Sequence, residues 1–115
     1  MTPIFRAKHH IDDIYFIGSL IGKDDEYYIV QEEDMEYYRP IDITTLAINF
    51  PNMTDSQGNK IFASLSENGK GGDILKTRGN KAPCKFNKGF TIETIMGISN
   101  LYMLLDKVEI IGIQE

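Results

Sequence analysis

Residues Thr44–Leu75 read TTLAINFPNMTDSQGNKIFASLSENGKGGDIL, and they decide the fold class because two chain reversals are set between short apolar runs. Asp55-Ser56-Gln57-Gly58-Asn59 puts a turn-favouring Asp first and a glycine where positive φ costs little, between Phe50/Met53 and Ile61/Phe62. That spacing predicts a hairpin-like reversal. Glu67-Asn68-Gly69-Lys70-Gly71-Gly72 is too glycine-rich for the inside of a helix or a central strand, and alternation resumes at Asp73-Ile74-Leu75-Lys76. A flexible loop feeding a new strand is expected there.

Upstream of this stretch, the pattern again favours strands over helices. Ile4–Lys8, Ile14–Ile21 and Tyr27–Gln31 read as strands of an antiparallel meander, with Gly22-Lys23-Asp24-Asp25 as a hairpin loop and Asp12-Asp13 as punctuation. The acidic segment Glu32–Tyr38 reads as a connection ended by Arg39-Pro40, since Pro40 has no ladder donor, and Asp42 is placed to cap a short turn before Leu46–Phe50. Downstream, strands are expected over 72–78, 84–86 and 90–96, the last favoured by β-branched Thr91, Ile92, Thr94 and Ile95. Gly79–Pro83 reads as a polar connection, Gly97–Asn100 as a break, Leu101–Asp106 as compatible with a helical turn, and Lys107–Ile113 as the final strand.

These runs carry a resemblance to a known family. Phe5-Arg6-Ala7-Lys8, the turn from Pro51 to Phe62, Gly71-Gly72-Asp73-Ile74-Leu75 and Val108-Glu109-Ile110-Ile111-Gly112 follow, in order and rough spacing, the motifs of YopX-like proteins, which are encoded mostly by phages, prophages and other mobile elements. Lys8 stands where that family usually has Trp, Pro51-Asn52 replaces its Thr-Gly, and Ala63–Lys70 is an extra segment, so the chain resembles a divergent member. The resemblance implies a mainly β (α+β) fold, with a small antiparallel SH3-like barrel in residues 51–115 behind an N-terminal β-meander subdomain in residues 1–50. It implies no established activity.

The composition fits one domain over residues 1–115. A chain of 115 residues with 42% hydrophobic content is large enough to bury one core without metal or disulfide support. Cys84 is the single cysteine and has no partner for an intramolecular disulfide, and no apolar stretch suggests a signal peptide or membrane span. A bacterial host cytoplasm is the expected setting. The net charge of -5 argues against a protein built to coat nucleic acid. That charge is segregated: residues 1–50 hold ten acidic and four basic side chains, whereas residues 51–115 hold seven and eight. Lys76, Arg78, Lys81, Lys85 and Lys88 follow one another with no acidic residue between Asp73 and Glu93.

Several constellations imitate chemistry. His9-His10 with Asp12 and Asp13 offers metal donors, but neighbouring strand residues point to opposite faces and no third histidine exists. Lys70 in its glycine loop lacks a glycine five residues before it, where Leu65 stands, as well as the following Ser or Thr and the helix that a phosphate loop needs. The Asp55 turn lacks the acidic spacing of a calcium loop. Cys84 reads as an inert thiol with no base near it in sequence. For Tyr27-Tyr28 and Tyr37-Tyr38 a core or interface role is favoured over base stacking, because their neighbours are acidic. No catalytic, cofactor or metal residue is therefore expected. The preferred reading is a non-enzymatic, self-associating protein, with Asp24–Glu36 of one subunit meeting the Lys76–Lys88 run of the next to give a homo-oligomer, or with another protein partner. The alternative is a nucleic-acid-binding barrel that uses Lys76, Arg78, Lys81, Lys85 and Lys88 as phosphate contacts.

Overall fold

The computed structural model describes residues 2–87, 89–94, 97–101 and 105–115. Strands dominate it, in the order β1 (Ile4–Lys8), β2 (Tyr15–Lys23), β3 (Glu26–Gln31), β4 (Asp34–Pro40), β5 (Ala47–Asn49), β6 (Ala63–Ser64), β7 (Asp73–Thr77), β8 (Asn80–Phe86), β9 (Phe90–Thr94), β10 (Gly97–Asn100) and β11 (Glu109–Ile113), with short 3₁₀ turns at Ile43–Thr45 and Leu105–Lys107. The mainly β class expected from the sequence is the observed one. One hydrogen-bonded path runs β10-β9-β8-β6-β5-β1-β2-β3-β4, and β7 joins β8 and carries β11 on its other side. Every ladder is antiparallel except the single β6–β8 bridge at Ser64↔Lys85. Among the described residues this path is open, ending at β4, β10 and β11, and the barrel closure implied by the family resemblance is not drawn by these ladders. The molecule is elongated, 43 × 25 × 24 Å.

The first three strands form the expected meander. The β2–β3 hairpin closes at Lys23↔Glu26 around Asp24-Asp25, both at positive φ (53° and 63°). Aspartate is one of the few non-glycine residues that tolerates this left-handed pair, which a two-residue hairpin turn requires. Beyond β3 the structure departs from expectation, because Glu32–Tyr38 is not a connection: Glu32-Glu33 turns the chain and Asp34–Pro40 is an edge strand. Its first five residues are exposed on both faces, so it carries no hydrophobic alternation. Pro40 sits at its end, where a missing donor is tolerated.

The second half packs around the larger of two cores. Phe90, Met53, Ile61, Leu75, Ile92, Leu101 and Val108 are buried there together, with Phe50 and Phe86 against them. A smaller core of Ala7, Ile29, Ile41 and Leu46 lies under the meander, and Phe5 packs against both. Asn49 was not singled out by sequence, yet its buried amide donates to the carbonyls of Met53 (3.0 Å) and Ile61 (2.8 Å) and closes the excursion that contains the Asp55 turn. That turn forms as expected, with Gly58 at φ 84°.

Two further segments differ from expectation. Gly79–Pro83 is not a connection, since the reversal is confined to Arg78-Gly79 and β8 runs through Pro83. Strand β8 pairs with β7 up to Pro83 and with β9 from Cys84 onward, so the proline falls where the strand changes partner. Gly97–Asn100 is a strand paired to β9 instead of a break. Parts of the expected 90–96 strand and of the 101–106 turn, Ile95, Met96 and 102–104, lie outside the described residues, as does Lys88.

Candidate functional site

The glycine loop is built as packing. Gly71 and Gly72 are buried, and a Cβ on Gly71 would lie 1.9 Å from the Thr45 carbonyl oxygen, while one on Gly72 would lie 2.4 Å from that of Cys84. The Gly71 amide donates to Gln114 O (2.7 Å), and Gln114 N donates back to Gly72 O (2.8 Å). No cradle of free amides is left for a phosphate at these positions. Here the expectation of a flexible loop is corrected: the glycines let three backbones approach where any side chain would separate them. The adjoining Ala63–Lys70 segment is likewise tied down, with Ser64 Oγ donating to Lys70 O (2.7 Å) and Ser66 Oγ to Thr44 O (2.8 Å). Leu65 remains exposed on it.

Behind this loop lies a buried ion pair. Arg6 Nη2 approaches Asp73 Oδ1 at 2.8 Å and donates to Gly71 O at 2.9 Å, and the guanidinium covers the Phe62 ring at 4.6 Å. The other Asp73 oxygen accepts from Phe62 N at 2.8 Å. Burial pushes the Asp73 carboxyl above its ordinary range, and the Arg6 charge pulls it back only in part. The pair is closed to solvent on both sides and joins β1 to the start of β7.

The other chemistry-bearing residues also resolve into structure. The Nδ1 of His9 accepts from the amides of Ile11 (3.4 Å) and Asp12 (3.3 Å) at the strand end, so it is occupied by its own turn. Among the described residues no three metal-ligating side chains come together. Cys84 is fully buried, and burial pushes its thiol up, away from the thiolate a nucleophile needs. The tyrosines Tyr27, Tyr37 and Tyr38 are exposed on the meander, and Tyr28 packs edge-on to Tyr38 with ring centroids 5.8 Å apart. None of the four enters the buried core.

What remains are surfaces. In the β7–β8 hairpin, Asp73, Leu75, Thr77, Ala82 and Cys84 point inward, and Lys76 and Lys81 point outward directly opposite each other, with Arg78 at the turn. Like charges directly opposed across a ladder destabilise it. Across the other ladder Lys76 faces Glu109. None of Lys76, Arg78, Lys81 and Lys85 forms an ion pair among the described residues. Lys85 lines a different surface, a cleft of about 450 Å³ shared with Leu65, Glu67, Phe86, Glu93 and Ile98, and pairs with neither of its carboxylates. Among the described residues the basic run is therefore a hairpin triad plus Lys85 in its cleft.

The acidic counterpart is spread over the meander, with Asp24-Asp25 at one hairpin tip and Glu32-Glu33 at the next. On the face of the meander away from the small core, Ile4, Ile17, Ile21, Val30 and Met35 line a shallow cleft of about 420 Å³ whose rim carries Glu32, Glu33 and Lys60. Met35 is 68% exposed there. Sequence reasoning missed this face because β4 was read as a connection. Ile17 and Ile21 stand two strand-steps from one another pair-wise, and that alternation was its available signal.

These surfaces and clefts belong to a mainly β protein. No known family model, curated protein or solved structure matches the chain. No helix among the described residues is long and apolar enough to cross a membrane.

Proposed function

We propose that the chain is a non-enzymatic interaction protein that acts by associating with further copies of itself, through its acidic meander and its basic β7–β8 hairpin. One observation carries the reading: Lys76 and Lys81 are held side by side with Arg78 at the turn, and this triad makes no ion pair within the described residues. An arrangement that costs stability in the single chain is explained if a partner's carboxylates complete it. The same chain supplies them in Asp24, Asp25, Glu32 and Glu33. Light scattering coupled to size exclusion, at low and at high salt, tests this. Association at low salt that weakens as salt rises is expected, and a monomer under both conditions overturns it.

The hairpin triad also supports a second reading, contact with nucleic-acid phosphates, because its cations are exposed and unengaged. Binding of a labelled single strand should then weaken steeply with salt and drop on Lys81→Glu. A flat response disposes of it. The YopX-like origin, with a phage or mobile-element setting in a bacterial cytoplasm, belongs to this proposal. It rests on the order and rough spacing of the four motifs that carry the resemblance.

A further inference from the structure

The acidic meander and the basic hairpin each have an outer sheet face that could form the contact between copies. Two exposed sheet faces on this chain match in both shape class and charge. The first is the outer face of the meander, where exposed Ile17 (44%) and Met35 (68%) stand beside half-buried Ile21 and buried Val30. At its rim Glu32 and Glu33 outnumber Lys60. The second is the outer face of the β11–β7–β8 ladders. Register places Ile74 opposite Pro83, and Lys76 between Lys81 and Glu109, with Ile111 (44% exposed) standing out beside the bulge between Ile110 and Gly112. Its centre is apolar, and its three cations outnumber Glu109.

Each face sets exposed aliphatic side chains, Ile17 and Met35 on the first and Ile111 on the second, among half-buried or buried apolar neighbours, the composition of a small contact surface. They do not cover one another within the chain, because Ile17, Met35 and Ile111 are all exposed. A two-fold pairing of meander faces has only Lys60 to set against Glu32 and Glu33, and one of ladder faces has only Glu109 to set against Lys76, Lys81 and Arg78. The excess charges of the two faces are offset most completely when unlike faces pair. Each protomer would then keep one unlike face free at either end, the head-to-tail arrangement that closes into a ring or extends as a filament.

We infer that the meander face around Ile17 and Met35 of one copy docks on the β11–β7–β8 face around Ile111, Lys76 and Lys81 of a second copy. This rests on the self-association reading and assigns its contact surfaces.

Mixing distinguishes the two claims. Met35→Asp and Ile111→Asp each place a charge at an exposed position, so both variants should melt close to the parent protein. Each alone should lose association by about tenfold or more in Kd, the scale of a central interface residue. In an equimolar mixture, the intact ladder face of the Met35→Asp chain should meet the intact meander face of the Ile111→Asp chain, giving a discrete dimer and nothing larger. A second pair, Glu33→Lys and Lys81→Glu, should behave in the same way and should regain association when combined in one chain. If the variants associate as the parent does, or if the mixtures stay monomeric, this assignment is overturned while self-association stands. If the unmutated protein is monomeric at low salt, the self-association reading itself fails.

Discussion

Arg6 and Asp73 meet as a buried ion pair at 2.8 Å across sixty-seven positions of sequence, joining the first strand of the meander to the strand that follows the glycine loop. The guanidinium also bonds Gly71 O and stacks on Phe62, so one side chain ties together β1, the loop and the start of β7. Deleting either partner leaves a buried charge without its counterion. Arg6→Ala and Asp73→Ala should each cost about 3–5 kcal/mol in urea unfolding, and the double variant should cost well under their sum. Additive losses would show that the pair is not a unit.

Asp73 and Asp55 respond to acid with opposite sign. Asp55 is largely desolvated, which alone would raise its carboxyl, but the amides of Asn59, Ile110 and Gln57 outweigh this and hold it below the ordinary 3.8. Its ionised form therefore contributes stability that is complete above that value and is lost as pH falls through the lower folded value. Asp73 is raised, so between 3.8 and its folded value the native state binds the extra proton and stability falls as pH rises. Asp55→Asn should therefore flatten the loss of stability below about pH 4, measured as urea midpoints across an acid series. An unchanged acid limb would show that the three amide bonds do not hold the carboxylate.

Much of the fold was legible because turns announce themselves chemically. Asp24-Asp25, Asp42 and Asp55–Asn59 were placed from their side chains alone, and each bonds or bends the backbone as that chemistry requires. The strands that escaped lack the half-buried alternation on which such readings depend. Strand β4 is exposed on both faces over Asp34–Tyr38, and β8 contains a proline that is harmless only because the strand changes partners beside it. The cations of the basic run were legible as residues, but not as a surface. Only the register shows that Lys76 opposes Lys81 and that Lys85 belongs to a different cleft.

Glycine positions in the opening stretch should separate sharply on substitution. Gly58 has φ 84° with nothing within 4 Å of an added Cβ, so Gly58→Ala should cost only the left-handed penalty, about 1–2 kcal/mol. Gly71 has nearly the same φ, 83°, but its Cβ would meet the Thr45 carbonyl at 1.9 Å. Thr45 cannot yield cheaply, since its hydroxyl accepts from Lys8 N and donates to Asp42 O. Gly71→Ala should cost about 4 kcal/mol or more, or abolish folding. Equal melting temperatures for the two variants would show that the loop adapts and is not a packed junction.

The opposed lysines offer a test that works in the isolated chain. Lys76 and Lys81 face each other with Glu109 on only one side, so replacing Lys81 with Glu turns a repulsive cross-strand pair into an attractive one. Lys81→Glu should leave the fold intact and raise monomer stability by about 0.2–1 kcal/mol at low salt, with the gain shrinking as salt screens it. The same substitution should weaken association, because it puts a carboxylate where the neighbouring copy presents Glu32 and Glu33. A surface selected only for the stability of the single chain would move both measurements in one direction. Opposite movement, a firmer monomer and a weaker assembly, is what a contact surface predicts; unchanged assembly would show that the charge at residue 81 plays no part in it.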